Sequence, residues 1–299
     1  MKMSVALSTF LVGSLMLLAS VAPAFAVSNL ITTQGMIAEG ITNNTYGSSN
    51  WCGYALTPEA VTPSLGSVTY VSGSFTVPTV TGPTRGTAYA AFWVGIDGFS
   101  SDTVEQTGVL AEIQNGKATY SAWYEFYPAG MVAISKTTGG AAFSVNSGDA
   151  ITASVSYSSS GSFTTTITDT EKTNGAVETF TSPATKVSGA TEASAEWIAE
   201  APAEQIGRMV EVLPLADFGT VSFTACSATL TTGAYTFPAY SLVADSLVVQ
   251  QITMCTGISH DQFVGVKAAP SAYSPSGGAS AVSFGITWES SQGDASFLM

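Results

Sequence analysis

Ser194-Ala195-Glu196-Trp197-Ile198-Ala199-Glu200 reads with a period of two. Ala195, Trp197 and Ala199 fall on one face of a strand, and Glu196, Ile198 and Glu200 on the other. The first face suits a core. The second shows two carboxylates in a chain that has few charges. Two readings are open for it: a solvated strand surface, or the support of a site.

Working outward, the same division recurs twice. In Thr87–Ile96, Phe92, Val94 and Ile96 share a face, which puts Trp93, Gly95 and the following Asp97 on the other. In Thr119–Tyr127, Tyr120, Ala122, Tyr124 and Phe126 share a face, which leaves Ser121, Trp123, Glu125 and Tyr127 opposite. Lys, Thr and Ser are usual on a solvated sheet face. Trp and Tyr beside carboxylates point instead to a groove for an extended ligand. Gln106 follows the Asp97-Gly98 turn in Glu105-Gln106-Thr107-Gly108. An amide in such a cleft can donate a hydrogen bond to a developing oxyanion.

The rest of the chain also reads as β. Strand-like stretches are Ser67–Val77, Ile151–Tyr157, Ser162–Thr168, Val177–Phe180, Val221–Leu230, Ser246–Ile252, Gln262–Val266 and Ala281–Trp288, with Gly, Ser, Thr and Pro between them. Ser158-Ser159-Ser160-Gly161 reads as a hairpin turn. Ala203–Val212 reads as a short turn of helix, and Ala268–Ala279 as a long loop before the last strand. Short strands without βαβ alternation predict an all-β sandwich of two sheets in one domain.

Met1-Lys2-Met3, the apolar run Ala6–Ala19 and the ending Ala24-Phe25-Ala26 describe a secretory signal peptide over 1–26. The apolar run is short of the ~20 residues that a membrane span needs. A secreted protein with no membrane attachment after cleavage is therefore expected. Residues 27–49 read as a polar leader or short pro-segment, and 50–299 as a single domain.

The chain has 21 Asp and Glu against 8 Lys and Arg, which excludes nucleic-acid binding by phosphate neutralisation. With so few basic groups its charge in acid reaches only about +9, so self-repulsion there is small and low pH suits it. Secretion makes disulfides possible. Cys226 and Cys255 could pair, which would leave Cys52 over. The single histidine, in Ser259-His260-Asp261, and the lack of Gly-x-Ser-x-Gly disfavour Ser-His and Cys-His catalysis. One histidine also gives no metal-ligand cluster, so neither metal nor cofactor is expected.

At these residues the chain resembles the glutamic peptidases, or eqolisins. The matching text is Ser49-Asn50-Trp51-x-Gly53, Trp93-Val94-Gly95-Ile96-Asp97-Gly98, Gln106-Thr107-Gly108 and Tyr120-x-Ala122-Trp123-Tyr124-Glu125-x-Tyr127-Pro128. It continues in Ala195-Glu196-x-Ile198-x-Glu200 and covers roughly Asn50–Ile252. Cys52 stands where glycine is usual, and Ala201-Pro202 follow Glu200 where an acidic and an aromatic residue are common.

The resemblance implies a concanavalin-like sandwich of two antiparallel sheets, about seven strands each, with the groove on the concave sheet. It implies an acid-active endopeptidase whose catalytic pair falls on Gln106 and Glu200, without metal or covalent intermediate. Trp93, Asp97, Glu125 and Tyr127 match its groove positions, and the alternation adds Trp123 and Glu196. The expected partners are polypeptide substrates, and a monomer is expected. The alternative is a carbohydrate-active or carbohydrate-binding β-sandwich, because carboxylates and tryptophans in a groove also suit sugar rings.

Overall fold

The computed structural model describes residues 31–32, 35–43, 45–58, 66–206, 209–231, 233–235, 247–275 and 282–291. The segment read as a signal peptide lies outside them. Every regular element among the described residues is a strand.

The strands form two facing layers. One runs Val177–Thr181, Phe163–Thr170, Ala150–Tyr157, Val68–Thr76, Thr220–Leu230, Val282–Trp288, each antiparallel to the next. The other runs Val132–Ile134, Lys117–Tyr127, Val104–Gln114, Thr87–Ile96, Ala195–Glu200, Trp51–Pro58, Leu247–Met254, also antiparallel throughout. Thr45–Ser48 joins the edge of Leu247–Met254 in parallel, and Ala38–Thr42 turns back on it.

The expected pair of separate sheets is corrected here. Ala268–Pro270 pairs with Val282–Trp288, and its Ala268 also pairs with Met254 at the end of the other layer. The layers are thus one sheet folded over and nearly closed. Closure removes an edge that would otherwise present unpaired backbone groups. The link lies in the stretch read as a loop, where Ser274–Pro275 also pairs with Val282–Trp288. The helical reading of Ala203–Val212 is corrected as well. Ala203–Ile206 and Met209–Val212 pair antiparallel as a hairpin, which the alternation of that text permits.

The main core lies between the layers. Phe75 packs against Phe92 and Phe223, and Phe223 stacks on Phe284. Trp197 is fully buried there, and its indole N–H donates to Ser72 O at 2.8 Å. Burying each such side chain contributes about 1.5–3 kcal/mol. A Cβ on Gly73 would come within 2.8 Å of Trp197 Cδ1, so the facing strand has a glycine where the indole lies. The Cys226–Cys255 pairing that the sequence leaves open is not formed. All three cysteines are buried free thiols, and burial pushes each thiol up.

A second, smaller apolar cluster covers the far side of the second layer. It comprises Trp51, Ala55, Ala91, Trp93, Val104, Leu110, Trp123, Ile198 and Ile252. This is the face on which the sequence pattern puts Glu196 and Glu200.

Candidate active site

Five neighbouring strands build the site. Glu200 ends Ala195–Glu200 and pairs across with Trp51 and Ala91. Trp93 lies opposite Ile198 on one side and Gly108 on the other. Gln106 lies opposite Gly95 and Glu125. By register, Glu196, Glu200, Trp93, Gln106, Trp123, Glu125 and Tyr127 all belong to one face.

That arrangement agrees with the alternation of the sequence, but the face is not solvated. Gln106, Glu125, Glu196 and Glu200 are each 0 % exposed. They lie outside the interlayer core, on the face of the second cluster, against which half-buried Met36, Tyr46, Tyr89, Phe99, Tyr127 and Met131 pack.

Trp93 occupies the centre. Its Nε1 donates to Glu200 Oε2 at 2.8 Å. A Cβ on Gly95 would lie 2.8 Å from Trp93 Cζ3 and 3.2 Å from Gln106 Cβ. The indole therefore lies over Gly95, with its N–H toward Glu200 and its benzo edge toward the Gln106 row. Trp51 meets Trp93 edge-on, with centroids 4.8 Å apart. Gln106 Nε2 donates to Glu125 Oε2 at 3.3 Å, which holds the amide in place. The Trp123 indole N–H is buried on this face without a hydrogen-bond partner.

Asp97 has a different surrounding. It follows its strand with φ 69°, and its carboxylate accepts four hydrogen bonds. Thr191 N, Thr191 Oγ1, Glu192 N and Ala193 N donate at 2.8 to 2.9 Å. Asp97 thereby fixes the loop that delivers the chain into the Glu200 strand.

Two further carboxyls are buried near it. Burial pushes Glu196 well up, against the lowering pull of the Ser194 hydroxyl. Burial, and then the Asp97 carboxylate, push Glu105 up to about 9. Glu105 points to the opposite face from Gln106, opposite Ile96 and Phe126. Neither Glu105 nor Asn50 shows a role in the sequence pattern alone. Among the described residues no group of three His, Cys, Asp or Glu side chains is placed to hold a metal ion.

An amide and a carboxylate on one face of a β layer, with a tryptophan on the strand between them, form an arrangement that suits hydrolysis by side-chain acid–base chemistry. Residues 49–268 match the Peptidase A4 family, and the chain belongs to it: it is an eqolisin and a peptide hydrolase. Aspergillopepsin-2 of Aspergillus niger is 32% identical over 210 residues, which are 64% of this chain and 67% of the relative. Scytalidopepsin B of Scytalidium lignicola is 32% identical over 163 residues, 53% of this chain and 58% of the relative. A solved scytalido-glutamic peptidase with a transition-state analogue inhibitor superposes with a TM-score of 0.57 at 25% identity, covering 81% of this chain and 98% of that one.

Proposed function

We propose that this chain is a secreted, acid-active endopeptidase that hydrolyses peptide bonds with Gln106 and Glu200. The observation that carries the proposal is the shared face of the two residues. Glu200 is held by Trp93 and Gln106 by Glu125, on strands with one strand between them. The family assignment favours this reading over a carbohydrate-directed one.

Ionised Glu200 takes a proton from a water lying between the two side chains, and that water attacks the scissile carbonyl. The Gln106 amide donates to the oxyanion of the tetrahedral intermediate. Protonated Glu200 then gives its proton to the leaving amine, and the enzyme returns to its starting state. The Glu200 carboxyl must be ionised at the start, which sets an acid limb on the rate.

The substrate lies along the same face. The unpartnered Trp123 indole N–H supports a donor role toward a substrate carbonyl, because a buried donor without a partner is costly. Half-buried Tyr127 supplies apolar surface, buried Trp93 holds Glu200, Glu125 orients Gln106, and Asp97 sets the loop beside the groove. Buried Glu196, held neutral in acid, adds no charge to the floor. The leader 27–49 would enter secretion behind the signal peptide and remain in part against the domain, where Thr45–Ser48 is paired.

Digestion of denatured casein at acid and neutral pH tests the proposal. Cleavage is expected in acid and should fall in folded Gln106→Ala by about 100- to 1,000-fold, the loss typical of an oxyanion donor. Wild-type rates in that variant would remove Gln106 from the mechanism.

A further inference from the structure

Asn50 stands in the Ser49-Asn50-Trp51 motif, yet the mechanism above gives it no part. It is fully buried. Ile37 N and Ser48 Oγ donate to its Oδ1 at 2.8 and 2.9 Å. A backbone N–H can only donate, so the atom facing it is the oxygen and the amide orientation is fixed. Nδ2 therefore points the other way, toward Gly35 O at 3.2 Å and Glu200 Oε1 at 3.5 Å.

The Asn50 main chain takes hold of the same strand end. Ala201 N, immediately after Glu200, donates to Asn50 O at 2.8 Å. One residue thus faces the Glu200 side chain and fixes its following peptide. With Trp93 on Oε2, the two carboxylate oxygens face separate N–H groups.

We propose that Asn50 is a positioning residue for Glu200, aiming its carboxylate at the attacking water. The proposal rests on the Gln106/Glu200 reading. An N–H that faces a carboxylate also favours its ionised form. The other carboxyls near this face are Glu196 on the same strand, Asp97 beyond the end of the Trp93 strand, and Glu125 across Gln106. None of them changes when Asn50 is replaced, so they give a constant background.

The test measures kcat and KM for one peptide across the acid range in wild type, Asn50→Ala, Asn50→Asp and Glu200→Gln. Circular dichroism and Tm establish that each is folded. Asn50→Ala should lose roughly ten- to hundredfold in kcat, as misaimed catalytic groups do, with KM nearly unchanged. The acid limb of its kcat profile should move to higher pH. Asn50→Asp keeps the side-chain shape, so it decides the matter if Asn50→Ala does not fold. It should move the limb further, because a second carboxyl then faces Glu200.

A purely structural Asn50 would lower Tm while leaving kcat per folded molecule and the acid limb in place, and that result overturns the proposal. If folded Glu200→Gln still cleaves, the dyad reading itself fails. If Glu200→Gln is inactive while Asn50→Asp keeps the wild-type limb, only the role of Asn50 fails.

Discussion

At the scale of the residue, the site depends on what is missing at position 95. The Trp93 indole covers Gly95 so closely that one methyl group there would stand 2.8 Å from its ring and 3.2 Å from Gln106 Cβ. Gly95→Ala should push the ring aside, break the 2.8 Å contact to Glu200 and lower kcat/KM by roughly ten- to hundredfold. Trp93→Phe keeps much of the apolar contact but removes the N–H donor. It should lower kcat with little change in KM, and peptide kinetics at several acid pH values would separate the two effects. Unchanged kcat in either variant would mean that the indole is only packing. Gly108 lies on the same face with another constraint: a Cβ there would meet Phe92 O of the neighbouring strand at 2.0 Å.

At the scale of the element, Asp97 joins two strands through a loop. It receives four hydrogen bonds from residues 191–193, just before Ala195–Glu200 begins. Hydrogen bonds to a charged group contribute about 1.5–3 kcal/mol each in isolation and are not additive. Asp97→Asn keeps one acceptor oxygen, so we expect a loss of about 2 kcal/mol and a Tm lower by roughly 4–8 °C. Thermal unfolding followed by circular dichroism checks this, and a Tm unchanged within a degree would contradict it.

Which elements were legible follows from contrast between faces. Thr87–Ile96 has the bounds read from its sequence, because a core face of Phe92, Val94 and Ile96 alternates with Trp93 and Gly95. Val104–Gln114 shows no strand pattern in its sequence. It is buried on both faces, with Leu110 on one and Val109, Ala111 and Ile113 on the other, so the two-residue period disappears. Thr45–Ser48 and Ala38–Thr42 are short and polar, and they form only by docking on an existing edge. The site residues on strands were legible by the same parity. Asn50 was not, because it precedes its strand and its contacts reach 150 residues along the chain.

At the scale of the whole molecule, buried carboxyls tie the fold to acid. Burial pushes Glu196 well up, Glu105 to about 9 and, with Asp149 nearby, Asp169 to about 7. In each case the folded protein keeps a proton that the unfolded chain has released. The unfolded state binds fewer protons, so stability falls as pH rises. It should be full below the ordinary carboxyl range, about pH 4.5, and decline up to about pH 9. Urea midpoints from pH 4 to 9 should therefore fall, and Glu105→Gln should flatten part of the slope. Midpoints that rise across that range would contradict it. Closure of the sheet is likewise invisible in local sequence: Ala268–Pro270 pairs to strands on both sides through only a few residues, and no local period marks it.

The central claim is that an amide and a carboxylate act as one unit on a single water. The most direct test is a double-mutant cycle in peptide hydrolysis at acid pH, comparing Gln106→Ala, Glu200→Gln and the combined variant, each shown to be folded. Residues that work as a unit give strongly non-additive losses. The account predicts that Glu200→Gln alone removes nearly all activity and that adding Gln106→Ala costs little more. Near-wild-type hydrolysis by folded Glu200→Gln, or losses that simply multiply in the combined variant, would contradict it.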